Sequence, residues 1–157
     1  DTLPNVEIRT KQENGLVPFY YINGIHYNSS ILRTINPKLI DSISVLKEEK
    51  DIGDTYRNGR VYIKMKREYR PKLISLTDLK QKYAIEVKKP TIFMIDNEIV
   101  EENYTNFLID EKYILSIIID NIKNEKENID IQLIRLTTRT EDNVNQANHI
   151  SIRGNVE

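Results

Sequence analysis

The stretch VPFYYINGI, from Val17 to Ile25, joins a short aromatic and β-branched run to an Asn-Gly pair. Such residues favour β-strands, and Asn-Gly provides the positive φ angles of a tight turn. A similar stretch, KPTIFMIDNEI, runs from Lys89 to Ile99 and has its turn at Asp96-Asn97. The sequence therefore predicts a strand and a turn at both places, in two copies of a degenerate repeat spaced by about 72 residues.

The residues after the first turn predict one short helix and then a second helix or a loop. Asn36 is suited to an N-cap, and Pro37 to the first position of a helix that runs to about Asp41. The charged stretch from Lys47 to Tyr56 is typical of a short helix or a loop, which Asn58-Gly59 would end. Together with the strands, these elements predict a β-α-β-α-β order for the first unit.

Two segments of the first unit alternate with the period of a β-strand. Ser42 to Leu46 alternates apolar residues with serines, and Arg60 to Lys66 alternates apolar residues with charged ones and Tyr62. Side chains of a strand point alternately to its two faces, so each strand has one apolar face. We expect the apolar row to be buried on one sheet face: Ile43, Val45, Val61, Ile63 and Met65.

The second half predicts one helix and several strands. Leu76 to Tyr83 is typical of a brief helix, with Ser75 or Thr77 as its cap. The stretches 113–122 and 129–140 are strand-like and enclose a polar turn, which predicts a hairpin. The tail from Ile150 to Ile152 predicts one last strand.

These elements predict an α+β protein of two related units that contain sheets. Residues 1–16 form a polar arm with a short edge strand at Val6 to Thr10, and the units occupy residues 17–70 and 71–157. A chain of 157 residues is long enough for one sizeable core or two small ones. We therefore expect either a core shared by both units or a small core in each.

Composition excludes several classes of partner and site. The chain has 23 basic and 24 acidic side chains and a net charge of −1, so no overall field attracts nucleic acid or an anionic membrane. The absence of cysteine excludes a disulfide framework and any thiolate zinc site. Apolar runs are too short for a membrane helix, so we expect a soluble chain without a direct membrane span. The chain opens on Asp1 rather than Met, which suggests a removed signal segment or a trimmed chain.

Three pieces of the first unit together resemble the plug domain of TonB-dependent receptors, as found in cell-envelope proteins of Bacteroidetes. They are FYYINGI (Phe19 to Ile25), INPKLIDSISVLK (Ile35 to Lys47) and GDTYRNGRVYIKMK (Gly53 to Lys66). The middle piece is the most specific. The segments Ile74 to Tyr83 and Pro90 to Val100 are similar to a region that accompanies such units in secreted proteins of that group.

The resemblance implies a docking or occluding role in the cell envelope, on an exported protein that is periplasmic or associated with the outer membrane. The sequence also departs from the family pattern. Asn23 stands where the family has Asp, Arg57 replaces the glycine after Tyr56, and Gly59 alone remains of the glycine-rich turn. The partner's identity does not follow from the likeness, and a small-molecule ligand stays an open alternative.

Candidate binding residues are tyrosines and cations of the first unit, because tyrosine is favoured on recognition surfaces. They are Tyr20, Tyr27, Arg60, Tyr62 and Lys64. No metal site and no cofactor are expected, because the two histidines lie far apart in sequence and the motifs of nucleotide and cofactor sites are missing.

The composition and motifs favour a non-catalytic binding module over an enzyme. The rival hypothesis is a hydrolase that uses Asp96 and Glu98, which would share one face if the strand continued through them. A third hypothesis is a structural subunit of a larger envelope assembly. A hydrolase needs a concave pocket around convergent carboxylates, whereas a docking module needs an exposed tyrosine-rich face or an open sheet edge.

Overall fold

The computed structural model describes residues 3–10, 17–47, 59–83 and 85–154. The α+β prediction is confirmed, since the structure contains two sheet units with helices. Ten strands and two α-helices are described: β1 (Phe19–Ile22), β2 (Ile25–Tyr27), β3 (Ile40–Leu46), β4 (Arg60–Met65), β5 (Leu73–Ser75), α1 (Leu76–Lys82), β6 (Thr91–Ile95), β7 (Glu98–Ile99), β8 (Leu108–Asp110), β9 (Ile114–Asn124), β10 (Ile129–Thr138) and α2 (Glu141–Gly154).

Two four-stranded sheets have the same topology. The first has the strand order β2-β1-β4-β3, and the second has the order β7-β6-β10-β9. In the first sheet, β1 pairs antiparallel with β2 and parallel with β4, and β4 pairs antiparallel with β3. In the second sheet, β6 pairs antiparallel with β7 and parallel with β10, and β10 pairs antiparallel with β9. A separate two-stranded ladder, β5 with β8, lies beside them. The predicted strands and turns of the repeat therefore occupy equivalent topological positions.

The two turns of the repeat also make the same hydrogen bond. Asn23 and Asp96 both have positive φ, and the Oδ1 atom of each accepts a hydrogen bond from the backbone N–H at the end of the last strand. That donor is Met65 for Asn23 and Thr138 for Asp96, at 2.9 Å in both cases. Asn23 and Asp96 are 73 positions apart in the chain, and so are Met65 and Thr138. The same offset relates β1, β2 and β4 to β6, β7 and β10, whereas β3 and β9 are offset by 74 positions.

The described residues form two small cores rather than one shared core. The core of the second unit is built around Phe93, Ile134 and Leu136, and that of the first unit around Ile22 and Ile63. Hydrogen bonds and ion pairs join the units instead, among them the pairs Arg33 with Glu98 and Lys38 with Glu141.

Two buried hydroxyls of the 3₁₀ helix Ser29–Thr34 hold the units together. The Ser30 hydroxyl donates to the Leu108 carbonyl at 2.8 Å, and the Thr34 hydroxyl accepts from the Asp110 N–H at 2.8 Å. Buried polar groups need such partners because an unpaired one is costly.

The apolar row of the first unit is buried only in part, which corrects the prediction. Ile63 and Met65 are buried and Val61 is half-buried, whereas Ile43 and Val45 are 57% and 60% exposed. All five lie on the predicted face, because Ile43 is opposite Ile63 and Val45 is opposite Val61. The predicted alternation of apolar and polar side chains was therefore correct. Ile43 and Val45 are exposed because β3 is an edge strand and little of the described chain packs over its apolar side.

Three other predicted elements are wrong. Asn36 does cap a helix, but the helix is a single 3₁₀ turn, Pro37–Leu39, and β3 begins at Ile40. The tail predicted as a strand belongs to α2, where the Asn143 N–H bonds to the Thr140 hydroxyl and acidic residues occupy the first turn. The segment Val6 to Thr10 is exposed and forms no strand. The predicted helix at residues 47–56 lies almost wholly outside the described residues.

Candidate functional site

One face of the first sheet carries a cluster of aromatic rings, named here the aromatic face: Phe19, Tyr21, His26 and Tyr62. The Tyr21 and Tyr62 rings stack at a centroid distance of 5.2 Å, because parallel pairing of β1 with β4 puts these residues side by side. His26 lies opposite Tyr21 on β2 and contacts the rings of Phe19 and Tyr21 at 5.4 and 5.5 Å. Aromatic pairs at such distances stabilise one another. The rings therefore form a preorganised surface.

Two cations flank these rings. Arg60 is opposite Phe19, and Lys64 is two positions beyond Tyr62 on the same side of β4. Lys64 and His26 are exposed, and Tyr62 is 37% exposed. The aromatic face thus offers ring area in its centre and positive charge at its border. Three of the five predicted binding residues, Arg60, Tyr62 and Lys64, lie together here.

The other two predicted binding residues lie on the opposite side of the sheet. Tyr20 and Tyr27 pair across β1 and β2, and Tyr27 packs against Tyr69 at 5.8 Å between ring centroids. Burial, with the nearby Asp110 carboxylate as a second cause, raises the pKa of Tyr27. Strand alternation places Tyr20 and Tyr27 on the face opposite Tyr62, so the five candidate binding residues do not share one surface. The tyrosine of β1 that shares the face of Tyr62 is Tyr21, through the pairing of β1 with β4.

The second unit provides an internal comparison. Its sheet has the same topology, but the positions equivalent to the aromatic face carry no aromatic residue. Ile92, Met94, Ile99 and Arg135 replace Phe19, Tyr21, His26 and Tyr62. Arg135 is paired with Asp120 at 2.7 Å. The fold therefore does not require aromatic rings on this face, and their presence in the first unit needs another explanation.

The carboxylates of the hydrolase hypothesis are engaged in other contacts. Asp96 accepts from the Thr138 N–H and hydroxyl and from the Asn143 side chain, whose nitrogen is 3.1 Å away. Glu98 is exposed, and its carboxylate faces Arg33 at 3.4 Å. Asp96 thus joins a turn to the end of β10 and the start of α2. The carboxylates of Asp96 and Glu98 have different partners and share none.

Replacing Asp96 by asparagine is expected to lower the free energy of unfolding by no more than about 1 kcal/mol, because an amide oxygen can still accept from Thr138. Asn23 already makes that bond in the first unit. Asp96→Ala should cost about 2 to 3 kcal/mol, since it leaves buried donors unpaired. Urea unfolding of both variants checks this ranking, and equal losses for the two would contradict it.

A cleft of about 520 Å³ lies between the two units and is lined in part by Tyr69, Asp110, Lys112 and Arg139. Asp110 is buried, and desolvation raises the pKa of its carboxyl group even though it accepts from the Lys72 and Lys112 N–H groups. Burial, and the Asp110 charge after it, raise the pKa of Tyr69. Among the described residues the buried Tyr69 hydroxyl has no hydrogen-bond partner. A small molecule in this cleft would contact residues of both units.

Within residues 3–10, 17–47, 59–83 and 85–154, no group of three or more His, Asp or Glu side chains is placed to hold a metal ion. Over the same ranges, neither α-helix has the length and apolar character needed to cross a bilayer.

Comparison with known proteins identifies no relative of this chain. No protein-family model, no characterised protein and no solved structure matches it.

Proposed function

We propose that this protein is a non-catalytic docking module that binds a protein partner of the cell envelope through the aromatic face. The observation that carries the proposal is the cluster of Phe19, Tyr21, His26 and Tyr62, which is exposed in part and has no aromatic counterpart in the second unit. Aromatic residues dominate the centres of protein interfaces, since they bury a large area at a small entropic cost.

The chemistry of the aromatic face selects the kind of partner. Stacked rings favour an apolar or aromatic segment at the centre of the contact, and the exposed cation Lys64 favours carboxylates beside it. The partner is therefore a protein segment that combines apolar side chains with acidic ones. Lysine at the rim accelerates encounter more than it increases affinity, because exposed charges are screened by salt.

The plug-like sequence pieces support the proposed location. The piece Ile35 to Lys47 forms a 3₁₀ turn and β3, and the end of the third piece forms β4, the strand that carries Arg60 and Tyr62. These elements frame the aromatic face. We take the resemblance to TonB plug domains as the reason to place the partner in the cell envelope, with the chain periplasmic or associated with the outer membrane.

The double replacement Tyr62→Ala with Lys64→Glu is expected to reduce capture of envelope proteins by at least about tenfold, because it removes a stacked ring and reverses a rim charge. The full chain serves as bait in envelope extracts of the native host, and captured proteins are quantified by mass spectrometry. The melting temperature should change by less than about 3 °C, since both side chains are on the exposed side of β4.

The matched control is Ile118→Ala with Lys123→Glu on β9, which makes the same change of net charge on an exposed part of the second unit. Proteins that bind the aromatic face should still be captured by this control variant, and they should no longer be captured by the variant Tyr62→Ala with Lys64→Glu. If both double variants capture the same set of proteins in equal amounts, the aromatic face is not the docking surface.

The two rival functions give different results in measurable tests. A hydrolase that depends on Asp96 and Glu98 would lose turnover on a glycan or peptide substrate when they are replaced by asparagine and glutamine, and such a loss would contradict the docking function. A structural subunit would copurify in a stable, stoichiometric assembly that resists high salt. A docking module with cationic rim residues should instead release its partner as salt increases.

A further inference from the structure

The inner face of the second sheet is covered by α1. Leu76 and Leu79 of this helix are completely buried, and they belong to the same core cluster as Phe93, Ile134 and Leu136 of the sheet. Ser75 caps the helix by accepting a hydrogen bond from the Asp78 N–H at 3.0 Å. A short helix with apolar residues at positions i and i+3 thus closes this core.

The corresponding face of the first sheet is open at its β3 side. The open face is defined by Ile43, Val45 and Val61, of which the first two are more than half exposed. In the second unit, Ile117 is opposite Leu136 as Ile43 is opposite Ile63, and it packs against the core. Within the described residues, no helix covers the open face as α1 covers its counterpart.

The N-terminal arm, defined here as Leu3 to Thr10, carries the residues that such a helix would need. Leu3, Val6 and Ile8 are 90%, 80% and 87% exposed, and the arm has no regular structure. The offset of 73 positions that relates β1, β2 and β4 to β6, β7 and β10 also matches Leu3 to Leu76 and Val6 to Leu79. Sixteen positions separate Val6 from Ile22, and sixteen also separate Leu79 from Ile95. The arm is therefore the sequence counterpart of α1.

We propose that the N-terminal arm docks on the open face as a short helix, in the way that α1 covers the second sheet. In a helix, Leu3 and Val6 lie on one side, whereas Ile8 is about 140° from Leu3 and points away from the sheet. Pro4 falls in the first turn, where proline is tolerated because its missing N–H has no helical partner. The structure then represents the undocked state, with apolar groups exposed on both surfaces. Docking buries the arm and the open face together.

The test compares aspartate substitutions at facing and non-facing positions of the full chain. Val6→Asp and Ile43→Asp should each lower the melting temperature by about 4 °C, because each removes one side of the contact. Their matched controls are Ile8→Asp on the arm and Leu46→Asp on β3. These variants add the same charge, but the Ile8 side chain points away from the sheet in the proposed helix, and the Leu46 side chain lies on the other face of β3. The controls should leave the melting temperature within about 1 °C. The double variant Val6→Asp/Ile43→Asp should lose no more than either single variant, since both changes remove one contact.

Hydrogen exchange and molecular mass complete the test. The amides of residues 7–10 should exchange at least about tenfold more slowly in the wild type and in Ile8→Asp than in Val6→Asp. Equal exchange in all of them would show that the arm does not dock. A monomer by light scattering is expected, because the arm covers its own sheet. A dimer that Val6→Asp dissociates would overturn the proposal, since the arm would then occupy a second copy of the chain.

Discussion

Replacement of Gly59 by alanine is expected to lower the free energy of unfolding by more than about 3 kcal/mol. Gly59 has φ +83°, a region that residues with a Cβ atom rarely adopt. A Cβ atom there would lie 2.1 Å from the Leu46 carbonyl oxygen, which is backbone and has little freedom to move. The Gly59 carbonyl also accepts from the Phe19 N–H at 3.0 Å, so a shift would disturb β1, β3 and β4 together.

Gly24 provides the matched control for this substitution. It has a similar φ of +81°, but a Cβ atom there would meet no atom within 4 Å. Gly24→Ala should therefore cost only the conformational term, about 1 to 2 kcal/mol. Urea denaturation measures both losses of unfolding free energy. The slope of that free energy against urea concentration should be the same in the wild type and both variants. If Gly24→Ala were as destabilising as Gly59→Ala, the close approach to Leu46 would not be the cause.

The substitution Ile63→Asp is expected to cost about 4 kcal/mol or more and to leave the first unit largely unfolded at 37 °C. Ile63 is 5% exposed and pairs with Ile22 on one side and Ile43 on the other, within the small core of the first unit. A carboxylate there would lose its hydration without gaining a partner. A core of this size has few other contacts to offset the loss.

Lys64→Asp is the control for Ile63→Asp, because the adjacent side chain points to the exposed face of the same strand. It should change the free energy of unfolding by less than about 0.5 kcal/mol. Chemical denaturation followed by tyrosine fluorescence and by circular dichroism measures both variants. Similar losses for the two would mean that β4 does not have one buried and one exposed face.

The two units share a sheet topology but differ in which faces of the sheet are covered. The second sheet has α1 over its inner face and aliphatic residues with an ion pair on its outer face. The first sheet has aromatic residues on its outer face and an open region on its inner face. The second unit thus has its inner face covered, whereas the first unit exposes both the aromatic face and the open face. We propose that the aromatic face binds a partner and that the open face binds the N-terminal arm.

Local pattern in the sequence was enough to determine the strands and turns of the repeat. Asn23-Gly24 and Asp96-Asn97 need positive φ angles that few other residues tolerate, and the alternation from Arg60 to Lys66 correctly separated the two faces of β4. The prediction of a strand in the tail was wrong because it relied on Ile150 and Ile152 alone. The signals that start the helix, Thr140 and Glu141, lie about ten residues earlier in the chain.

Only the tertiary structure decided which apolar faces are covered and which tyrosines share a surface. Period-2 alternation defines two faces for β3 and β4, but burial of a face depends on segments distant in sequence that pack over it. Ile117 packs against the core cluster that contains Leu76 and Leu79 of α1, whereas Ile43 remains more than half exposed. In the same way, pairing between β1 and β4 brings Tyr21 to Tyr62 and leaves Tyr20 on the other side. Register between strands is a long-range property, so the sequence pattern of one strand does not contain it.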